Sequence, residues 1–425
     1  MKISVLKFGG TSVKSVARIS HVASVIAADP AEKKIVVLSA MGDTTDYLLR
    51  LAKQCSELPD KRELDLLLSS GEQVSTSLLS IKLRELGVNA RAYTGQQLGI
   101  CTDSSHTEAR IKEINKELLL SKLEKCDVLI AAGFQGIDQL GEITTLGRGG
   151  SDTSAVALAA CVGSNVCEIY TDVDGIYTAD PNTVKSAVIR KEVSYKEATL
   201  LAYSGAQVIH PRAVELAADY DIQINIRNTF KPGNAGTKIV KEENMEKVAD
   251  TYNVAVSQKE ACIKLKGIDC GFPLLETLSD LADTYSLEIN SVSESPCELV
   301  SERESNGGQE KVVSAARLDL EAYVAYKDID QLKSAVNELK DKSGAEFCLI
   351  DVDLAKLSII GKALSKDTLG KLIKTLKAAE ISPRKIELSD TRVSCLIDSL
   401  KGAFASNLVH DTFNKAQLRE KVSVA

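Results

Sequence analysis

Through the first 240 residues, short apolar runs alternate with stretches of helical periodicity, and this alternation is what most limits the fold. KIVVLSA (34–40), VLIAAGF (128–134) and VCEIYTD (166–172) read as strands buried on both faces. VARISHVASVIAA (16–28), ELDLLLSSGEQVSTSLLSIKLREL (63–86) and TSAVALAACVG (153–163) carry helical patterns instead. Strands and helices in turn build an α/β domain around a mostly parallel sheet. Ligands bind such sheets outside the carboxyl ends of the strands, so the residues just after each strand are the ones to question.

Four such stretches have polar content that packing does not explain. In the opening MKISVLKFGGTSV, Ile3 to Leu6 form a short strand that breaks too soon for an export signal. Gly9 and Gly10 then let backbone N–H groups approach a ligand, Lys7 stands beside them, and Thr11 and Ser12 can cap a helix. Bare amides, a cation and a helix start suit a phosphate; the same residues also suit an ordinary strand–turn–helix. LSAMGDTTD (38–46) ends a strand in Ser39 and turns through Gly-Asp-Thr-Thr. TTLGRGGSDTSA (144–155) sets Arg148 among three glycines, as a guanidinium that forks onto a carboxylate or phosphate requires. GGSD then starts a helix with Ser151 or Asp152 as its cap, and an N-cap is also the plain structural reading of Asp152. YTDVDGIYTADP (170–181) carries two early aspartates and a glycine turn, for which an Asx turn is the plain reading.

Composition removes other classes. The 425 residues are too many for one core, and 44% hydrophobic with 26% charged residues is a globular balance. A net charge of −7, no Trp and 4% aromatics argue against a nucleic-acid binder. No run reaches the roughly 18 apolar residues of a membrane span. Ten cysteines without a CxxC pair, and four scattered histidines, read as thiols in a reducing cytoplasm rather than a zinc site or disulfide scaffold.

Together, KFGGTSV, SAMGDTTD, SSGEQVS, TTLGRGGSDTSAVALAA and EIYTDVDGIYTADP resemble the aspartate kinase family, within the amino-acid kinase fold. They occur in that family's order and spacing across residues 1 to 240. The resemblance implies transfer of the γ-phosphoryl of ATP, with Mg²⁺, to the side-chain carboxylate of L-aspartate. The product, 4-phospho-L-aspartate, opens the route to lysine, threonine and methionine. By this resemblance Lys7 and Asp152 are catalytic, Lys7 on the γ-phosphate and Asp152 orienting it. Ser39, Thr45, Glu72, Arg148, Gly149, Gly150 and Ser151 hold aspartate. Lys7, Phe8, Gly9, Gly10, Thr171, Asp172, Tyr177, Asp180, Asn182 and Gln207 lie along ATP. No side chain is assigned directly to the metal. Without the resemblance, Glu72 reads as a solvated helix residue and His210, beside Pro211, as structural; Lys196 and Glu197 read as exposed. Asn182 stands where the family commonly has arginine and Gln207 where it usually has lysine, with Lys185 placed to compensate.

A boundary falls at KPGNAGTKIV (231–240) and the charged stretch after it, closing the catalytic domain at 240. Two smaller α+β units follow, 251–345 and 346–425, each opening strand–helix–strand, with a polar solvated loop at 294–311 in the first. They resemble that family's paired ACT domains, which implies a homodimer or higher homo-oligomer. They also imply an amino-acid effector, lysine or threonine, with Asp269, Asn290 and Ser293 as candidate contacts. Two other readings stay open: a kinase for another acidic amino acid, and a catalytically weak amino-acid sensor.

Overall fold

The computed structural model describes residues 3–414 apart from 207, 232, 246–250, 286, 297–299, 307, 308, 316, 327, 362, 363 and 365. Two compact units divide the chain, one running to Asn253 and the other beginning at Val254.

The first unit starts with β1 (Ile3–Phe8), α1 (Val16–Ala28), β2 (Lys33–Leu38), α2 (Thr44–Cys55), α3 (Lys61–Glu85) and β3 (Ala90–Tyr93). It continues with β4 (Ile100–Thr102), β5 (Ile111–Ile114), α4 (Lys116–Glu124), β6 (Val128–Ala132), β7 (Gln135–Ile137) and β8 (Ile143–Thr145). Then come α5 (Gly150–Val162), β9 (Val166–Thr171), β10 (Glu192–Ser194), α6 (Tyr195–Tyr203), α7 (Pro211–Asp219), β11 (Gln223–Asn228) and β12 (Thr237–Val240). Eight strands form the main sheet in the order β10-β12-β11-β9-β1-β2-β6-β3. Its middle is parallel throughout, and β12 runs antiparallel to β11. Register brings Phe8 level with both Leu38 and Tyr170, and Leu38 level with Ala132, so the central strands end together. The chain leaves β1 for β2 on one side and returns to β9 on the other, which makes the end of β1 the switch point where ligands bind.

Local chemistry explains the helices. Ser15 caps α1 by accepting from the Arg18 N–H, and the Asp60 carboxylate accepts from the Arg62 and Glu63 N–H groups at the start of α3. Pro211 at the first position of α7 has no N–H to leave unpaired. The run GSDTSAVALA at the start of α5 is buried on every side, and its small residues let α5 lie close against β1 and β2. Around β1, β2 and β6, the side chains of Leu6, Phe8, Val36, Leu38, Leu79 and Ile130 form the core.

The second unit holds β13 (Asn253–Asp269), α8 (Leu274–Tyr285), β14 (Glu288–Pro296), β15 (Val300–Asn306), β16 (Gln309–Ala315), β17 (Arg317–Ala325) and α9 (Ile329–Ser343). It ends with β18 (Phe347–Ile360), α10 (Lys366–Ala378), β19 (Lys385–Leu388), β20 (Arg392–Asp398) and α11 (Gly402–Phe413). One six-stranded sheet, β14-β17-β13-β18-β20-β19, runs through both strand–helix–strand halves. Leu278 and Leu281 of α8 and Leu332, Val336 and Leu339 of α9 bury against Ile263, Leu265 and Val324. The stretch 294–311, expected as a loop, instead finishes β14 and enters an antiparallel hairpin in which Val300 pairs Ala315 and Asn306 pairs Gln309. Backbone pairing there needs no apolar alternation, so a polar sequence conceals it.

Candidate functional site

Lys7 is the second-to-last residue of β1, and it is buried. Its ammonium lies 2.6 Å from Asp152 Oδ1 in the first turn of α5, and the Asp152 carboxylate also accepts the His210 N–H at 3.4 Å through Oδ2. The helix begins at Gly149, in the left-handed region at φ 67°, with no side-chain cap. Ser151 and Asp152 therefore sit inside the first turn, not at the cap where the sequence placed them. That frees the Asp152 carboxylate for Lys7. Gly149 must be glycine: a Cβ there would lie 2.0 Å from the His210 side chain. His210 thus shapes the loop by contact, which agrees with its structural reading.

Gly9 and Gly10 follow Lys7 directly. The Gly9 N–H donates to the Tyr170 carbonyl at 3.1 Å, and a Cβ at Gly10 would fall 2.8 Å from the Ala40 carbonyl oxygen. The glycine pair is thereby wedged between the turn after β2 and the end of β9. Phe8, expected along the nucleotide, is fully buried and stacks on Tyr170 at 4.6 Å between ring centres. Its aromatic ring belongs to the core, and only its backbone faces the site, accepting the Ser39 N–H at 3.2 Å.

Glu72 is buried, 2% exposed, so the solvated-face reading fails. Gly71 beside it brings α3 against Ala40, where a Cβ would be 2.8 Å from the Ala40 methyl. Glu72 Oε1 accepts the Ala40 N–H at 2.9 Å, while Oε2 has no hydrogen-bond partner among the described residues. Burial pushes its carboxyl up to about 8, and the Ala40 N–H offsets only part of that. Ser39 lies one residue away, half-buried, its carbonyl accepting the Ser75 hydroxyl at 2.9 Å. Thr45 is half-buried in the first turn of α2. Arg148 is exposed at the tip of its loop and makes no ion pair among the described residues. Lys7, Gly9, Gly10, Ser39, Glu72, Gly149, Gly150, Ser151 and Asp152 therefore gather around the carboxyl ends of β1 and β2.

The stretch after β9 forms the other flank. Thr171 ends the strand and its hydroxyl donates to Asp172 at 3.3 Å. Asp180 accepts the Asn182 N–H at 2.9 Å and the Thr183 hydroxyl at 3.1 Å, so the carboxylate is spent on its own turn. The Asn182 amide folds back onto the same oxygen at 3.1 Å. Lys185 lies nearby, its ammonium 3.3 Å from the Asn182 carbonyl. Gln207 falls outside the described residues. Asp174, the second of the two early aspartates and given no site role from sequence, accepts from Lys231 at 2.9 Å and from Asn228, and Lys231 holds it below the usual carboxylate range. These partners lie more than fifty residues downstream, where local pattern carries no signal. Glu197, expected exposed, is buried and pairs with Arg190 at 2.9 Å; Lys196 is exposed as expected.

The three effector candidates in the second unit do not come together. Asp269 ends β13 opposite Arg317 and accepts the Gly271 N–H at 3.0 Å. Asn290 lies toward the other end of the sheet, donating to Glu260 and accepting from the buried Lys356, both at 2.9 Å. The Ser293 hydroxyl donates to the Glu321 carbonyl at 3.2 Å. Among the described residues no three His, Cys, Asp or Glu side chains are placed to hold a metal, and no helix is long and apolar enough to cross a membrane.

Known proteins resemble this chain in sequence and in fold. The model of the amino acid kinase family matches residues 2–228. Aspartokinase 2 of Bacillus subtilis is 37% identical over 417 residues, covering 97% of this chain and 98% of its own. The aspartokinase of Geobacillus stearothermophilus is 36% identical over 421 residues, covering 98% of each. Among solved structures, Escherichia coli aspartokinase III in complex with aspartate and ADP aligns with a TM-score of 0.75 at 21% identity. That alignment covers 97% of this chain and 99% of that one.

Proposed function

We propose a mechanism on one premise: the chain belongs to the amino acid kinase family, among the aspartokinases, and is an ATP-dependent aspartate kinase. The buried Lys7–Asp152 pair, set between a glycine pair and the start of α5, carries the reading. The acceptor carboxylate, with a pKa near 4, is ionised at neutral pH and needs no general base. One of its oxygens attacks the γ-phosphorus of ATP, the bond to the β,γ-bridging oxygen breaks, and that oxygen leaves with its electron pair on ADP. The protein's task is to align the reactants and to balance charge.

Lys7 meets the γ-phosphate, held in place by Asp152 while the substrates come and go. The Gly9 and Gly10 backbone lies along the phosphates. Arg148, exposed and without an ion pair among the described residues, grips a carboxylate of aspartate bidentately. Glu72 Oε2, buried and without a hydrogen-bond partner among the described residues, takes the substrate ammonium, with Ser39, Thr45 and the Gly149–Ser151 turn around it. Thr171, Asp172 and Tyr177 flank the nucleotide with Lys185 beside Asn182.

The donor set suits a Mg²⁺ that rides on the triphosphate: Asp152 sets a carboxylate beside Lys7, and among the described residues no cluster of three His, Cys, Asp or Glu side chains forms a protein cage. The ion would neutralise phosphate charge, and Asp152 is the residue to face it. The second unit is read as the amino-acid-responsive part of a cytoplasmic homodimer or higher homo-oligomer.

ADP release with Mg-ATP tests the assignment, comparing L-aspartate, L-glutamate and no acceptor, then adding lysine and threonine. Aspartate-dependent release is expected. Release with glutamate alone would change the substrate, and no release from folded protein would favour the sensor, to which the missing cation at Asn182 points.

A further inference from the structure

Asp65 is fully buried in α3, two helical turns before Glu72, and takes no part in the chemistry above. Both of its carboxylate oxygens accept the Thr107 N–H, at 3.0 and 3.1 Å. Oδ1 also accepts the Thr145 hydroxyl, and Oδ2 lies 2.8 Å from His106 Nδ1. One carboxylate therefore holds two separate loops, 104–109 and the segment that runs from Thr145 into Arg148.

Further contacts join these loops to each other. The Ala109 N–H donates to the Thr145 carbonyl at 2.9 Å, and Arg212 of α7 donates to the Leu146 and Ala109 carbonyls at 2.7 and 2.9 Å. Thr107 sits at φ 72°, a conformation a β-branched residue adopts only when its surroundings impose it. Asp65 imposes it by fixing the Thr107 N–H. The Thr107 carbonyl then faces Gly147, itself at φ 75°, so closely that a Cβ on Gly147 would lie 3.0 Å away. Gly147 opens the turn that displays Arg148, closed by the Gly150 N–H on the Gly147 carbonyl at 3.0 Å.

We propose that Asp65 is a positioning residue: through Thr107 and Thr145 it sets the turn from which Arg148 reaches the acceptor. A buried carboxylate is a costly way to staple a surface loop. Its use here follows from what the loop carries, because a guanidinium forks onto a carboxylate only when its base is aimed. The proposal rests on reading Arg148 as the group that grips the acceptor amino acid.

The test is the steady-state kinetics of ADP release by full-length wild type, Asp65→Asn, Arg148→Lys and the double variant. Asparagine keeps the shape and one acceptor oxygen but gives up the other. Asp65→Asn is expected to raise the aspartate KM roughly 10-fold and to leave the ATP KM within about twofold, because only the acceptor side is misaligned. On the Arg148→Lys background the same change should add less than about twofold, since the group it aims is already altered. Equal changes in both KM values, or effects that multiply in the double variant, would overturn the proposal. Should Asp65→Asn not fold, Thr145→Val removes one contact from the same carboxylate. It should raise the aspartate KM alone, about threefold, and an unchanged value would again overturn the proposal. A folded wild type with no aspartate-dependent release overturns the acceptor reading first, which is visible before any variant is compared.

Discussion

Replacing Glu72 with glutamine separates what this side chain costs the fold from what it does for the acceptor. Its carboxyl titrates near 8 in the folded protein against 4.5 when free, because burial opposes the charge. The folded chain thus binds this proton more tightly than the unfolded chain does. Stability contributed here is present below the unfolded value and lost as pH rises from 4.5 to about 8. The loss is under about 1 kcal/mol at pH 5 and about 4 kcal/mol at pH 8, so about 3 to 4 kcal/mol accrues between them. Glutamine keeps the acceptor for the Ala40 N–H and carries no charge. Between pH 5 and pH 8 the melting temperature of Glu72→Gln should therefore gain roughly 10 °C on wild type, read from the first unit's unfolding. The same variant should bind aspartate about 10- to 100-fold more weakly, having lost a charge-assisted contact to the ammonium. In wild type, the aspartate KM should fall about tenfold per pH unit up to pH 8 and then level, as Glu72 ionises. Parallel melting curves for the two proteins at both pH values, with a flat KM profile, would show that Glu72 is ionised throughout and refute the reasoning.

Removing the Lys7 ammonium with Lys7→Ala should cut kcat by about 10²- to 10³-fold, with a folded circular dichroism spectrum retained. Near wild-type turnover would take Lys7 out of the mechanism. Gly149→Ala puts a methyl into the His210 side chain on a backbone at φ 67°, and should cost at least about 2 kcal/mol in urea unfolding. A variant as stable as wild type would mean that the turn relaxes freely. Lys185→Ala should raise the ATP KM about fivefold while the aspartate KM stays put, if its ammonium supplies the cation absent at Asn182. An unchanged ATP KM would leave that flank without a compensating charge.

The parts of this site that sequence discloses are those whose chemistry is contiguous. KFGG and GRGGSD each place a charge, bare amides and a strand or helix end within a few residues, and covalent geometry keeps them together whatever the rest of the chain does. The parallel sheet is legible for a similar reason: a strand buried on both faces is apolar at consecutive positions, so β2 and β6 identify themselves. β15 and β16 carry no such mark, because a paired polar hairpin has the composition of a solvated loop.

Glu72 shows where that legibility stops. Within SSGEQVSTSLLS nothing marks one polar residue as buried, and the helix is apolar on more than one side. Its burial depends on Gly71 letting α3 close onto Ala40, which lies 32 residues before Glu72 in the chain. Asp65 is harder still, since its meaning lies wholly in Thr107 and Thr145, 42 and 80 residues downstream. In each case the residue type was plain and the partner was not. A motif can thus name the groups that touch substrate, but the groups that aim them are chosen by tertiary contact. Arg148 is legible among its glycines because the loop must be bare to expose it. The carboxylate that holds that loop still is legible only once α3 and the loop are seen to meet.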